Sequence, residues 1–246
     1  MPTALVVIPT YNERANLAAI VGRVRAAVTE IHVLVVDDNS PDGTGAIADG
    51  LASDPHVSVL HRPGKAGLGS AYLAGFAAAL DRGFDYVLEF DADGSHQPEE
   101  LPKMLAALDA GADLAIGTRW MPGGLVENWP LRRRMLSRGA TLFARVMLRS
   151  RLRDITSGYR GFRAATLVDA HYESLVSQGY CFQIELAWRV ERAGLSITEV
   201  PITFIERVNG RSKMSVAIVV EAMRSVFVWG IADRFDRKSR AVAQSR

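Results

Sequence analysis

A single cysteine, Cys181, in 246 residues rules out an intrachain disulfide and any metal site built on thiolates. The opening MPTALVVIPTYNER has no basic stretch ahead of its short apolar run, so it does not read as a signal peptide. Long hydrophobic runs are lacking too. The nearest, Met214 to Ala232, is broken by Glu221 and Arg224 and falls short of the ~18 to 20 apolar residues that a bilayer span requires. These absences lead to the expectation of a cytoplasmic chain without a membrane anchor of its own. A net charge of only +2 gives no overall electrostatic case for nucleic acid. The five histidines show no H-E-x-x-H spacing, and each reads as an ordinary surface or hydrogen-bonded residue. In GKAGLGSAYLAG the glycines at 67, 69 and 75 match neither G-x-G-x-x-G nor a P-loop, which argues against an NAD dehydrogenase or a P-loop ATPase. That segment reads as a flexible loop leading into a helix of small residues.

What is present is an alternation of short apolar strands with helices. Ala4 to Ile8, Val33 to Val36, Val57 to His61, Tyr86 to Phe90 and Leu114 to Ile116 read as strands. Helical patterns fill the gaps at about Arg14 to Val28, Gly43 to Ser53, Gly67 to Leu80 and Pro98 to Ala110. Continuously apolar strands separated by helices imply an α/β fold: a Rossmann-like, mostly parallel sheet with helices on both faces. The crossover rule makes each connection right-handed and the sheet doubly wound. Beyond Gly117 the rhythm changes to a basic helix at Leu131 to Leu148, a helix around Cys181 to Arg192, a strand at Ile197 to Pro201 and an apolar helix from about Ser215 to Ile231. The expected organisation is one catalytic domain over residues 1–232, with a nucleotide-binding half to about 117 and an acceptor-side half after it. Residues 233–246 read as a basic, disordered tail.

Ligands of doubly wound sheets bind beyond the carboxyl ends of the strands. That rule selects PTYNER, DDNSPDGT and DADGSH, three polar segments that fall at one sheet edge. Asp91 and Asp93 flank Ala92, and in extended chain residues i and i+2 point the same way. Two neighbouring carboxylates repel unless a cation joins them, and oxygen ligands suit Mg²⁺ or Mn²⁺ rather than zinc. Two aspartates at the end of the second strand exceed what a turn needs, and a carboxylate there can accept hydrogen bonds from a ribose or a base edge. Arginines far outnumber lysines, which suits bidentate binding of phosphate. Arg119, Arg133, Arg207 and Lys213 fit a site where a diphosphate and a second phosphate meet, while Arg132 and Arg134 read as a solvated helix face.

The segments VVIPTYNERANL, VVDDNSPDGT, RPGKAGLGSAY, FDADGSHQPEELPKML, GTRW, TSGYRGFR and RVNGRSKM resemble, in this order, those of glycosyltransferase family 2. Within that family they are similar to the dolichol/polyprenol-phosphate mannose synthases, over about residues 5 to 225. The resemblance implies a GT-A fold and inverting transfer of mannose from GDP-mannose to a polyprenyl phosphate lipid, with Mg²⁺ or Mn²⁺ on the D-x-D motif. It implies nucleotide contacts at Pro9, Tyr11, Glu13, Val36 and Asp38, and metal and diphosphate contacts at Asp91, Ala92 and Asp93. Arg119, Arg207 and Lys213 would bind the donor diphosphate and the acceptor phosphate, with Arg133 and Ser137 near the latter; Asp91, Asp93 and Arg119 form the implied catalytic set. Relatives often carry Gln where Ser95 stands, so Ser95 is a weak third metal ligand that water could replace. The alternatives are a related transferase using UDP-glucose, and an inactive nucleotide-sugar-binding scaffold, against which the intact acidic and basic residues argue. The absent Q-x-x-R-W signature speaks against a processive polysaccharide synthase. A lipid acceptor implies peripheral contact at the cytoplasmic membrane face, through the last apolar helix or through a separate anchoring protein.

Overall fold

The computed structural model describes residues 2–175, 177, 179, 181–207 and 216–244, with side chains left aside at 216, 217 and 236–244. Strands β1 (Ala4–Thr10), β2 (His32–Asp37), β3 (Val57–His61), β4 (Tyr86–Glu89) and β5 (Leu114–Thr118) fall where the apolar runs place them. Together with β7 (Arg160–Arg163) and β8 (Ile197–Pro201) they form one sheet in the order β3-β2-β1-β4-β7-β5-β8. All neighbours are parallel except β7, which runs antiparallel between β4 and β5. The sequence pattern misses β7, because RGFR puts a buried arginine and a glycine where an apolar run is the signal. A separate two-stranded sheet pairs β6 (Leu125–Glu127) with β9 (Thr203–Ile205).

Alternation along β1 explains why both faces are covered. Leu5 and Val7 pack with helix α3 (Leu68–Asp81) and helix α7 (Cys181–Arg192). Val6 and Ile8 pack on the other face with α1 (Leu17–Ala27) and α4 (Leu101–Asp109). A strand buried on both sides must be apolar at every position. The remaining helices are α2 (Thr44–Leu51), α5 (Leu131–Leu148), α6 (Ala164–Asp169) and α8 (Val216–Gln244). Helix α8 runs well past Ile231, through residues that the sequence suggested were a disordered tail. It packs on α5 closely: a Cβ on Gly230 would sit 2.5 Å from the Met147 carbonyl oxygen.

The strand order decides where a ligand goes. From β1 the chain steps outward to β2 and β3, then returns to place β4 on the opposite side of β1. The carboxyl ends of β1 and β4 therefore flank the switch point, where an open α/β sheet has its crevice.

Candidate active site

The loop after β2 divides its aspartates between two tasks. Asp37 accepts from Thr10 Oγ1 at 2.9 Å, from the Ser40 N–H at 3.0 Å and from Ser40 Oγ at 2.6 Å. Ser40 Oγ in turn accepts from the Asn12 N–H at 3.1 Å, which ties the β1 and β2 loops together. Asn12 (φ 59°) and Asn39 (φ 55°) both sit in the left-handed region that asparagine tolerates best after glycine. Asp37 is thus the turn residue, and Asp38 is the one left for chemistry. Asp38 is buried and paired with Arg62 Nη1 at 2.7 Å. Burial raises its carboxyl above the usual range, and the Arg62 charge works against that shift. Lys65 lies 4.7 Å over the Tyr11 ring and also acts on Asp38, so the loop before α3 closes this side of the crevice. Glu13 is buried and its backbone N–H donates to Thr44 Oγ1 at 3.0 Å. Pro9 is within β1 and Val36 is fully buried within β2, both at the crevice ends of their strands.

The D-x-D pair follows β4 directly. Tyr72 Oη donates to Asp91 Oδ1 at 3.1 Å. The Ser95 N–H donates to Asp93 Oδ1 at 2.9 Å, and Arg207 Nη2 pairs with Asp93 Oδ2 at 2.9 Å. Gly94, at φ 77°, makes the turn that folds Ser95 back onto Asp93, while Ala92 is buried between the two carboxylates. Burial and then the charge of Asp93 push the Asp91 carboxyl well above the usual carboxylate range, and Glu13 adds to the repulsion. Such a pair calls for a cation. No cluster of three or more His, Cys, Asp or Glu residues that could hold a metal ion occurs among the described residues.

A second group of residues forms the wall opposite. Arg119 is buried, donating through Nε and Nη2 to Asp154 at 2.7 and 2.8 Å and to Thr156 Oγ1 at 3.2 Å. Its guanidinium lies 5.3 to 5.6 Å from the ring centres of Phe204, Trp129 and Trp120. Arg133, on α5, pairs with Glu206 and stacks 4.1 Å over Trp129. Glu206 neighbours Arg207 in sequence, so α5 is linked to the segment that reaches the D-x-D pair. Ser137 is half-buried one turn further along α5. Lys213 lies outside the described residues.

Several residues at the site carried no signal in the sequence. His96, read as a surface or hydrogen-bonded histidine, is buried at 1% exposure and stacked on Tyr159 with ring centres 5.1 Å apart. Its Nδ1 has no hydrogen-bond partner among the described residues and stands 3.9 Å from Asp91 Oδ2. Burial lowers its pKa, so the imidazole is neutral beside the carboxylates. Asp154 lies just ahead of TSGYRGFR, where a lone aspartate forms no pattern of its own. Tyr72 sits in a helix whose small residues dominate its pattern. Behind the pair, the last residue of β4, Glu89, is fully buried and accepts from Gln183 Nε2 at 2.7 Å. Burial pushes its carboxyl up to about 7, against the pull of Arg160.

A parallel sheet with a carboxylate pair at its switch point, faced by arginines, is the layout of an enzyme that holds a nucleoside diphosphate and its cation. The family model for glycosyl transferase family 2 matches residues 5–169, and the chain belongs to that family. It is a glycosyltransferase with a GT-A fold. The chain is 57% identical to a polyprenol monophosphomannose synthase of Mycolicibacterium smegmatis, over 95% of this chain and 89% of that one. It is 53% identical to an undecaprenyl-phosphate mannosyltransferase of Micrococcus luteus, over 94% and 96%. A dolichol-phosphate mannosyltransferase of Pyrococcus furiosus is 37% identical, over 90% of this chain and 62% of that protein. Among solved structures, glucosyl-3-phosphoglycerate synthase of Mycobacterium tuberculosis, in complex with Mn²⁺, UDP and glucosyl-3-phosphoglycerate, superposes with a TM-score of 0.67. It is 20% identical, over 95% of this chain and 80% of that one, which is a likeness of fold.

Proposed function

We propose that this chain transfers mannose from GDP-mannose to a polyprenyl phosphate, with inversion at the anomeric carbon. The observation that carries the reading is the half-buried Asp91–Asp93 pair at the β1/β4 switch point, met by Arg207, in a chain whose similar relatives are polyprenyl-phosphate mannosyltransferases. The two aspartates fit Mg²⁺ or Mn²⁺: they are oxygen donors, and their mutual repulsion demands positive charge. Ser95 is a third candidate through its hydroxyl. When bound, the cation offsets the charge that builds on the departing diphosphate.

The chain's own residues bind and orient. Pro9, Tyr11, Glu13, Val36 and Asp38 receive the nucleoside, while Ala92, Arg207 and Lys213 receive its diphosphate. Arg119, Arg133 and Ser137 receive the acceptor phosphate. That phosphate is already anionic at neutral pH, so no strong general base is required, and the neutral, buried His96 need not act as one. A phosphate oxygen attacks the anomeric carbon as the bond to the GDP β-phosphate oxygen breaks, which turns an α-linked donor into a β-mannosyl phospholipid. Positioning two anions against one another provides most of the acceleration.

The lipid acceptor also gives an account of the protein's apolar surface. No helix among the described residues is long and apolar enough to cross a membrane. Leu131, Met135, Leu142 and Val146 form an exposed stripe on α5, and Val220, Phe227 and Val228 are exposed on α8 packed against it. Arg132, Arg134 and Arg138 are exposed along α5 as well, and Arg149 is exposed just past its end. Apolar stripes among arginines suit the interface of an anionic bilayer, here the cytoplasmic face. This surface, or a separate anchoring protein, would hold the enzyme at its substrate.

Incubation with radiolabelled GDP-mannose, Mg²⁺ or Mn²⁺ and a polyprenyl phosphate should yield labelled lipid, and EDTA should abolish it. Product from UDP-glucose but none from GDP-mannose would reject the mannose assignment.

A further inference from the structure

Both oxygens of Asp93 are taken: Oδ1 by the Ser95 N–H and Oδ2 by Arg207 Nη2, each at 2.9 Å. Asp91 differs, with Oδ1 engaged by Tyr72 and Oδ2 standing 3.9 Å from the Nδ1 of His96. Among the described residues Arg207 is the one arginine or lysine in an ion pair with either aspartate. The pair is largely buried, at 17% and 12% side-chain exposure, so water screens it little. Yet the guanidinium is not fully used, because its buried Nε has no acceptor among the described residues. A planar guanidinium with an idle donor, next to a single carboxylate oxygen, is better satisfied by the several oxygens of a diphosphate.

We propose that Arg207 serves as an internal counter-ion that occupies Asp93 in the empty enzyme, so that cation and nucleoside diphosphate bind cooperatively. Without nucleotide, a divalent cation must compete with a guanidinium for Asp93 Oδ2 and sit beside its positive charge. The diphosphate draws Arg207 onto its own oxygens, which frees Asp93 for the cation. Coupling is reciprocal, so the cation strengthens nucleotide binding by the same factor. The device also keeps the buried pair compensated while the site is empty, since an unpaired buried carboxylate is costly. The inference rests on the reading of Asp91 and Asp93 as cation ligands and adds Arg207 as the residue that links cation to donor.

The test is Mn²⁺ titration followed by the EPR signal of free Mn²⁺, without and with GDP, corrected for Mn²⁺ held by GDP alone. Arg207→Gln should bind Mn²⁺ without nucleotide more tightly than wild type, by a factor within the ~5- to 150-fold span of ordinary coupling, and should lose most of the GDP effect. Arg138→Gln removes a charge that lies 4.7 Å over the Trp120 ring, outside the ion pairs of both aspartates and of Glu206, and should leave nucleotide-free Mn²⁺ affinity close to wild type. If both variants tighten Mn²⁺ equally, the effect is general electrostatics and the proposal fails. It also fails if wild type binds Mn²⁺ with GDP but Arg207→Gln shows no gain without it. If wild type and Asp93→Asn are alike in binding none even with GDP, the cation reading itself is wrong.

Discussion

Asp154 holds Arg119 at three points. Its Oδ2 accepts from the Arg119 backbone N–H at 3.0 Å and from Nε at 2.7 Å, and its Oδ1 accepts from Nη2 at 2.8 Å. Both side chains are buried, at 7% and 0% exposure, with three aromatic rings around the guanidinium. Breaking such a pair strands a buried charge, so Asp154→Ala should lose about 3–5 kcal/mol of stability in urea unfolding. Arg119→Lys keeps the charge but not the fork that matches Asp154, and should lose transfer activity as well as stability. If Asp154→Ala unfolded like wild type, Arg119 would be held by its aromatic neighbours instead.

Gly75 marks how closely α3 lies on the sheet. A Cβ there would stand 2.3 Å from Val7 Cγ1, a contact the core cannot absorb without shifting. Gly75→Ala should destabilise the fold by about 1–3 kcal/mol through overpacking. The same shift would move Tyr72, three residues earlier on α3, away from Asp91. Combining Gly75→Ala with Val7→Ala should recover part of the loss, a non-additivity that a double-mutant cycle measures directly.

Glu89 makes a separate prediction about pH. Its folded pKa of about 7 exceeds the 4.5 of the free side chain. Between those values the folded chain keeps a proton that the unfolded chain has released. This group's contribution therefore falls as pH rises through that window and levels off above it, by about 3 kcal/mol for a fully buried site. Asp91, also raised, acts in the same direction, and His96, lowered, acts oppositely, so the difference between proteins is the useful quantity. Stability of Glu89→Gln relative to wild type should increase from pH 5 to pH 8, whatever the offset from Arg160 losing its partner. A constant difference across that range would show that Glu89 does not titrate there.

What could be read in the sequence follows from how local each signal is. β1, β2, β4 and β5 were legible because strands buried on both faces are largely apolar, β3 because its run is short and apolar although it is a half-buried edge strand, and three polar segments at strand ends gave the crevice. β7 was not, because Arg160 is fully buried by donating to carbonyls of Ser157 and Ile155, an arrangement made by tertiary contacts alone. The D-x-D pair stood out at the end of β4. Asp37 and Asp38 looked equivalent in DDNS, and only the hydrogen bonds from Thr10 and Ser40 to Asp37, and the Arg62 pair of Asp38, tell the two apart. His96 and Asp154 were missed for a similar reason: a lone histidine or aspartate has no pattern until the fold brings aromatic rings or an arginine to it. The α8 boundary was misplaced because apolar periodicity stops near Ile231 while the helix does not.

The exposed face of α5 and α8 gives a prediction that separates the two modes of membrane contact. Met135 and Leu142 are 66% and 60% exposed, and Phe227 is 49% exposed. Replacing all three with serine removes exposed apolar area from α5 and α8 without opening the core, so thermal stability should stay near that of wild type. If this surface meets the bilayer, wild type should co-float with vesicles containing anionic lipid and the triple variant should not. High salt should weaken wild-type binding, because the flanking arginines contribute through screened charge. Activity on a short, water-soluble prenyl phosphate should be similar for both proteins, while activity on long-chain acceptor in vesicles should drop for the variant. Equal flotation of the two, or no flotation of wild type, would instead assign membrane contact to a separate protein.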